Sequence, residues 1–364
     1  MISGGKKGRN MLKLSRIYVV AAMVALMLAG CGQKDIVSAN APVMEKKQLL
    51  VNGADYLSVE GIELQEETTI AMVATNGENR FFDTIEKGAL QAVADLNTAL
   101  GYTGKNKIKL SYAAPKGEDV IEQINIIDQF LDKAPDALCV AFTDAKACKT
   151  QMDMAKNNGI KTIGFDTSDD EKMTEILVAT NNQKAAEEAA KKMFEAIDYK
   201  GKIAIVVHNS LTQTAQVRKQ AIIDQMTQNY NDKDIQFVEI IYAAQEERTG
   251  TEILTKLMEK HDDLAGVICT DLLTTEMVID YVKTLEEQTF QVVGFDTSEK
   301  IVSEVGNILV GTMAQDPYHM GYATVVAAAR SISGMGNVAN IYTEHIWIDG
   351  ENVDTAQVQS VLNY

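Results

Sequence analysis

The pentapeptide Gly-Phe-Asp-Thr-Ser occurs at residues 164–168 and again at residues 294–298. Each copy continues directly from a short apolar run. Cys139 and Cys269 lie in two further apolar runs at the same spacing, since 294 − 164 and 269 − 139 both equal 130. Two features in the same register predict that the chain contains two similar lobes that arose by duplication.

Around both copies, short apolar runs alternate with amphipathic segments of helical length. The predicted strands are residues 70–75, 108–113, 137–142, 161–165 and 176–180, followed by 203–207, 235–241, 266–269, 291–295 and 308–313. This alternation predicts an α/β fold with two doubly wound parallel sheets, each covered by helices on both faces. In such a sheet the ligand crevice lies beyond the carboxyl ends of the strands. We therefore expect Asp166 and Asp296 to face a crevice between the lobes.

The N-terminus has the order of an export signal. Five basic residues precede an apolar run at residues 17–28, and Leu-Ala-Gly-Cys occupies residues 28–31. This order is typical of a signal peptide that ends at small residues, and the run is too short to span a bilayer permanently. The alternatives are an uncleaved anchor or a plain secretory signal. Residues 31–68 lack sustained periodicity and predict a tether to the folded body, with a short ordered piece around residues 54–59.

The cysteine directly after Leu-Ala-Gly resembles the bacterial lipobox, in which a diacylglycerol is attached to the thiol and the chain is cut before it. The resemblance implies a signal peptide at residues 1–30 and a lipidated Cys31 as the first mature residue. It also implies that the protein is held by this lipid on the extracytoplasmic face of the cell membrane.

The composition describes an acidic mature chain. Of 34 basic residues five lie in the leader, which leaves 29 bases against 51 acids and a formal charge of −22. Such a surface repels nucleic acid, and we expect no nucleic-acid partner. Hydrophobic residues make up 46% of the chain and aromatic residues 6%, which suits two cores. Three cysteines remain beyond Cys31, and an odd count does not make a disulfide framework.

Three stretches of the body resemble the type I periplasmic binding proteins of the ribose and galactose group, a fold shared with the effector domains of lactose-repressor-like regulators. They are residues 74–82, the paired Gly-Phe-Asp strand ends, and Ala-Gln-Asp-Pro at residues 314–317. The resemblance extends from residue 69 to the C-terminus. It implies three crossings between the lobes, near Asn181, Gln315 and Thr343. Lobe one would comprise residues 69–180 and 316–342, and lobe two residues 181–315 and 343–364.

The resemblance implies a monomeric solute-binding protein that closes on a small polar ligand, a sugar or sugar-like polyol. It would deliver the ligand unchanged to the membrane permease of an ABC importer, without a cofactor. The alternative is a sensing module that presents its ligand to a membrane histidine kinase or chemoreceptor. The four histidines are scattered and show neither metal-ligand spacing nor a nucleophile motif. We therefore expect neither a metal site nor an enzyme.

The resemblance also implies the ligand site. Its predicted residues are Asn79, Phe81, Phe82 and Asp166 from lobe one, with Gln216, Asp271, Asp296 and Gln315 from lobe two and the crossing. Aromatic rings cover the apolar C–H faces of sugars, and carboxylates accept hydrogen bonds from hydroxyls. Arg218 matches a structural arginine of the family. The alternative for Asp166 and Asp296 is that they only cap turns.

The sequence departs from the ribose pattern at two positions. Ribose-type sites carry arginines where this chain has Thr167 and Gln216. With three aspartates converging and fewer cations beside them, we expect a more acidic pocket than a ribose site. Such a pocket favours neutral polyols, amino sugars or cationic ligands over sugar acids and phosphates.

Overall fold

The computed structural model describes residues 47–167 and 172–362. The predicted signal peptide at residues 1–30, the predicted lipidation site Cys31 and the predicted tether up to residue 46 lie outside these described residues. Within them, no helix is both long enough and apolar enough to cross a membrane. A short hairpin of β1 (Leu50–Val51) and β2 (Ala54–Asp55) precedes two larger sheets.

The first large sheet is entirely parallel. Its strands are β3 (Thr69–Val73), β4 (Lys109–Ala113), β5 (Ala137–Val140), β6 (Lys161–Phe165), β7 (Ile176–Thr180) and β13 (Asn340–Thr343). Their order across the sheet is β13-β7-β6-β5-β3-β4. One face is covered by α1 (Arg80–Leu100) and α9 (Pro317–Ile332), and the other by α2 (Val120–Leu131) and α3 (Lys149–Asn157). We call this half the first lobe.

The second large sheet repeats the plan with one antiparallel edge. Its strands are β8 (Lys200–Val207), β9 (Asp234–Tyr242), β10 (Leu264–Cys269), β11 (Gln291–Phe295), β12 (Gly311–Gln315) and β14 (His345–Asp349). Their order is β14-β12-β11-β10-β8-β9, and only β14 runs antiparallel to its neighbour. One face is covered by α4 (Asn182–Ala196) and α5 (Gln213–Asp224), and the other by α6 (Gly250–Lys260), α7 (Leu272–Val282) and α8 (Glu299–Ser303). The short α10 (Ala356–Leu362) packs beside β14. We call this half the second lobe.

Helices on both faces explain the apolar character of the central strands. A parallel sheet covered on both sides buries both faces of each strand, so the strand is a continuous apolar run without alternation. All four residues of β5, which are Ala-Leu-Cys-Val, are buried. The two doubly wound sheets confirm the predicted α/β fold.

The chain passes between the lobes three times. It crosses from β7 to α4 at Asn181, from β12 to α9 at Asp316, and from β13 to β14 at Glu344. These positions agree with the three-crossing hinge that the resemblance implied. Because a hinge of this kind leaves the carboxyl ends of both sheets facing each other, it places the ends of β6 and β11 on a shared cleft.

Two glycines allow α1 and α9 to cross at close range. A Cβ atom at Gly88 would lie 1.8 Å from the carbonyl oxygen of Tyr318, and one at Gly321 would lie 1.9 Å from that of Ile85. Any larger residue at either position would separate the two helices. The contact holds α9, which follows the second crossing, against the helix whose N-terminus Asn79 caps.

The segment at residues 47–68 packs on the first lobe. Four of its apolar side chains are buried in the core beneath α1 and α9: Tyr56, Leu57, Ile62 and Leu64. Each buried side chain of this size stabilises the contact by roughly 1.5–3 kcal/mol. Packing on the first lobe therefore extends over residues 49–64, beyond the short ordered piece predicted around residues 54–59. Lys47 also forms ion pairs with Asp316 and Glu344, at the second and third crossings.

Candidate functional site

A cleft of about 580 Å³ lies between the carboxyl ends of the two sheets. Its walls include Asp166 directly after β6, His208 directly after β8 and Asp296 directly after β11. This is where doubly wound sheets hold their ligands.

Asn79 and two adjacent phenylalanines line the first-lobe side. Asn79 caps α1, because its Oδ1 accepts a hydrogen bond from the backbone N–H of Phe81 at 3.0 Å. The rings of Phe81 and Phe82 meet edge to face with centroids 5.3 Å apart. Phe82 is buried in the first-lobe core, whereas Phe81 is half-buried. The cap therefore fixes a pair of rings at the cleft.

Asp166 and Asp296 occupy equivalent backbone positions. Their φ angles are 57° and 68°, in the left-handed region that non-glycine residues rarely adopt. The backbone N–H of Asp166 donates to the carbonyl oxygen of Val178 at 2.9 Å, and that of Asp296 donates to the carbonyl oxygen of Met313 at 2.8 Å. Strained residues of this kind cluster at functional sites. The backbone thus turns both aspartates out of the strands and into the cleft wall.

Protein donors occupy both carboxylate oxygens of Asp296. One accepts from the backbone N–H of Leu272 at 2.8 Å, and the other accepts from Nε2 of Gln315 at 2.5 Å. The Oε1 atom of Gln315 is buried and has no hydrogen-bond partner among the described residues. Asp296 therefore orients Gln315 so that a free acceptor remains at the cleft.

Asp271 caps the N-terminus of α7. Its Oδ1 accepts from the backbone N–H of Thr274 at 2.8 Å and from the hydroxyl of Thr274 at 2.9 Å. Its Oδ2 lies 3.9 Å from Nδ1 of His208. Asp271 lines the cleft as predicted, and its second oxygen faces it together with His208.

Arg218 is a buried cation at the base of the cleft, with 3% of its surface exposed. Its Nε donates to Asn182 Oδ1 at 2.8 Å, and its Nη1 donates to the carbonyl oxygen of Thr270 at 2.7 Å. The guanidinium lies 3.9 Å from the centroid of the Phe295 ring. Nη2 is buried and has no hydrogen-bond partner in the described part of the chain. Arg218 therefore braces the second lobe and keeps one donor free.

Asp166 differs from the other carboxylates of the cleft. It is 7% exposed, and no described residue donates a hydrogen bond to its carboxylate. Burial, opposed by Arg218 and reinforced by Asp296 and Glu118, raises the pKa of Asp166 to about 7. Burial also raises the pKa of Asp296, against the attraction of Arg218. A buried carboxylate without a donor is a strong acceptor for a ligand.

Glu118 of the first lobe reaches across the cleft mouth. Its Oε2 accepts from Asn209 Nδ2 at 2.8 Å and lies 3.0 Å from His208 Nε2. Burial lowers the pKa of His208, but the hydrogen bond to Glu118 and the charge of Asp271 outweigh it, so the pKa is raised. This contact joins the lobes directly in the closed arrangement.

Gln216 is the predicted site residue that the structure does not bring to the cleft. Seven of the eight predicted residues line the cavity, and Gln216 does not. Its Oε1 accepts from Lys219 Nζ at 2.5 Å, and Lys219 is held in turn by the hydroxyl of Tyr242 at 3.0 Å. The Nε2 atom of Gln216 donates to the backbone carbonyl oxygen of Asn209 at 3.5 Å, so both ends of its amide are bound within the second lobe.

Besides Arg218, which was predicted as a structural residue, two charged residues at the cleft were outside the predicted set. Glu118 and His208 both follow strands, β4 and β8, so the rule that ligands bind beyond strand ends applies to them as it does to the aspartates. The sequence placed His208 at a strand end, but the approach of Glu118 depends on the closure of one lobe against the other.

Residues 70–335 match the family described as the periplasmic binding protein domain. The chain belongs to this family. It is 22% identical over 273 residues to the ribose import binding protein of Bacillus subtilis strain 168, covering 74% of this chain and 83% of that protein. It is 24% identical over 219 residues to a D-ribose/D-allose-binding protein of Pseudomonas aeruginosa, covering 58% and 65%.

The solved structures agree on the fold. A carbohydrate transporter solute-binding protein from Agrobacterium radiobacter, in complex with D-arabinose, superposes with a TM-score of 0.74 at 24% identity, covering 82% of this chain and 99% of that one. A glucose-galactose binding protein from Geobacillus stearothermophilus gives 0.72 at 21% identity, covering 80% and 100%. These findings confirm the resemblance to the ribose and galactose group and the prediction of a binding protein, not an enzyme.

Proposed function

We propose that this protein is the solute receptor of an ABC-type importer, and that it closes on a sugar or sugar-like polyol. One observation carries the proposal: aromatic rings and buried polar atoms that have no partner among the described residues meet in one inter-lobe cleft. The rings are those of Phe81 and Phe82, and the polar atoms include Arg218 Nη2 and Gln315 Oε1. A sugar offers apolar C–H faces and hydroxyls that both donate and accept, and so matches this pairing.

The hydrogen bonds and ring contacts available in the cleft are sufficient for micromolar affinity. A buried polar group without a partner costs about 1–3 kcal/mol, and a hydrogen bond to a charged group contributes about 1.5–3 kcal/mol. A few such bonds together with a ring contact reach about −8 kcal/mol, which corresponds to micromolar affinity. The sugars bound by proteins of the same fold, D-arabinose among them, support this ligand class.

We further infer that residues 69–180 with 316–342, and residues 181–315 with 343–364, move as the two lobes of a monomer that docks on a membrane permease. A lipid on Cys31 would hold this monomer on the extracytoplasmic face of the cell membrane. The Cys31→Ala variant should then remain an unprocessed precursor or be released in soluble form, as fractionation and mass spectrometry of the N-terminus would report. A variant still processed at residue 31 and still bound to membranes would contradict the anchor.

A thermal-shift screen against pentoses, hexoses, amino sugars, polyols and nucleosides tests the ligand class. A ligand at about 100 times its dissociation constant adds about 2.7 kcal/mol of stability. We expect a concentration-dependent rise in melting temperature with at least one sugar or polyol and an unchanged ligand after incubation. A shift with nucleosides alone, or with none of these compounds, would overturn the proposal.

A further inference from the structure

Carboxylates outnumber cations in the walls of the cleft. Four carboxylates line it, those of Glu118, Asp166, Asp271 and Asp296, against the cations Arg218 and His208. With a neutral ligand and all four carboxylates ionised, the site would hold an excess of two or three negative charges, depending on the protonation of His208. Like charges that share a buried site resist ionisation together. Either a proton held by the carboxylates or a positive charge on the ligand would compensate this excess.

The four carboxylates are not equivalent, because three of them already have protein partners. Asp296 accepts from Leu272 and Gln315, Asp271 accepts from Thr274, and Glu118 accepts from Asn209 across the cleft. Asp166 is the exception among the described residues, since nothing there donates to its carboxylate, although the side chain is more than nine-tenths buried. One position in the cleft thus combines burial, negative charge and a vacant acceptor.

We infer that the ligand is a sugar or polyol that carries a protonated amine, and that its ammonium group lies against the carboxylate of Asp166. This inference rests on the proposed function and narrows it to a cationic member of the same ligand class. The ammonium donates hydrogen bonds to the carboxylate and also adds a direct attraction between opposite charges, which a neutral hydroxyl does not supply. The remaining hydroxyls of the ligand are left for Arg218 and Gln315.

The protonation state of the site supports the inference. Burial raises the pKa of Asp166 to about 7, with Arg218 opposing and Asp296 and Glu118 reinforcing the effect. With a neutral ligand the pKa of Asp166 stays raised, so the complex retains a proton on the carboxylates of the cleft. An ammonium group compensates the charge directly, which removes the need for that proton. The two ligand types therefore differ in proton uptake as well as in affinity.

Matched ligand pairs test the inference by isothermal titration calorimetry of the mature soluble domain at neutral pH. Each pair consists of a neutral hexose and one derivative in which an amine replaces the hydroxyl at carbon 1, 2, 3 or 6. The hexoses are D-glucose, D-galactose and D-mannose. The N-acetylated 2-amino sugars serve as neutral controls of similar shape. We expect at least one amine to bind about tenfold more tightly than both its hydroxyl counterpart and, for the 2-amino sugars, the N-acetyl form. Repeating the titration in buffers of different ionisation enthalpy should show less proton uptake for the amine.

Asp166→Asn supplies the residue-level test. It should lower the amine-to-hydroxyl affinity ratio toward one, whereas Asp153→Asn, which removes a carboxylate from the exposed face of α3, should leave the ratio unchanged. Hexoses that bind as tightly as every amino derivative, or an affinity ratio that persists in Asp166→Asn, would overturn the inference and leave the proposed function standing. If no hexose and no amino derivative binds, the inference fails, and the proposed function is then decided by the pentoses and polyols of the thermal-shift screen.

Discussion

The two copies of the Gly-Phe-Asp strand end are nearly identical in backbone and different in surroundings. Asp166 and Asp296 share a left-handed φ, and each N–H donates to the neighbouring strand. In the second lobe, Leu272 and Gln315 occupy both oxygens of Asp296. In the first lobe, the Asp166 carboxylate meets no donor from the described residues.

The same motif therefore has a different role in each lobe. The braced Asp296 organises its own lobe, because it holds the start of α7 and the amide of Gln315 while it compensates the buried Arg218. The unbraced Asp166 contributes nothing comparable to its lobe and instead costs desolvation energy, which is a cost that ligand binding recovers. The first-lobe copy is thus specialised for the ligand, and the second-lobe copy for both ligand and fold.

The Asp296→Ala substitution should have the largest effect. We expect affinity to fall by roughly 2–4 kcal/mol, or about 30-fold to 1,000-fold, because the Gln315 amide loses its orientation and the Arg218 charge loses its partner. The melting temperature should fall as well, since an uncompensated buried charge destabilises the lobe. Calorimetry with the ligand found by screening and thermal unfolding without it measure the two effects. The control is Asp280→Ala, which removes an exposed carboxylate from the same lobe. Lower stability with intact affinity would reduce Asp296 to a cap.

The Asp166→Asn substitution should weaken ligand binding but stabilise the ligand-free protein. Its effect on stability is therefore opposite in sign to that of Asp296→Ala. The pKa of Asp166 is raised to about 7 in the folded state, so between its ordinary value and about pH 7 the folded protein holds a proton that the unfolded chain releases. Stability of the wild-type protein therefore falls as pH rises through this window and stays low above it. At pH values above the window the asparagine variant should be more stable by roughly 1–3 kcal/mol.

Denaturant unfolding of the ligand-free protein between about pH 5 and pH 9 measures this slope. His208 contributes in the same direction, because its raised pKa stabilises the folded state at low pH and this contribution is lost as pH rises. A smaller slope should therefore remain in Asp166→Asn. A slope as steep as that of the wild-type protein would show that Asp166 is not the titrating group.

The fold and the strand-end residues were predictable because their signals are local. Apolar runs without alternation indicate strands buried on both faces, and the repeated pentapeptide fixes which strand ends are equivalent. The predicted strand at residues 308–313 lies a few residues early, since β12 is Gly311–Gln315 and the preceding apolar residues Ile308 and Leu309 are buried in a turn. An apolar run shows burial but does not show whether the buried segment is extended.

The remaining features depend on contacts between distant parts of the chain. No local pattern shows that Glu118 meets His208, that Lys219 captures Gln216, or that residues 49–64 settle on the first lobe. The segment at residues 49–64 contains four apolar residues that indicate burial, namely Tyr56, Leu57, Ile62 and Leu64. Because they follow neither a helical nor a strand period, they do not identify the surface that buries them.

The Glu118→Gln substitution tests the contact between the lobes and should have a moderate effect. Its bonds to His208 and Asn209 join the lobes only in the closed arrangement, so their loss should weaken ligand affinity by about 1 kcal/mol, or about fivefold, with little change in the unfolding of either lobe. Glu78→Gln is the matched control, because Glu78 is an exposed first-lobe carboxylate that pairs only loosely with Lys116 at 3.9 Å. Equal affinities for the two variants would show that the bridge does not contribute to closure.

The smallest effect is expected at Gln216. It tests whether the family resemblance or the observed position of a side chain better identifies the residues that contact the ligand. Gln216 was predicted to face the ligand, whereas its Oε1 accepts from Lys219 and the side chain does not line the cleft. Gln216→Ala should therefore change affinity by less than about twofold, the range of a substitution away from the site. Gln315→Ala should cost about tenfold, because it removes a buried acceptor at the cleft and frees Asp296. Both dissociation constants come from one calorimetric series. A tenfold loss at Gln216 would mean that the ligand draws its amide away from Lys219, and that the role implied by the family describes the bound state.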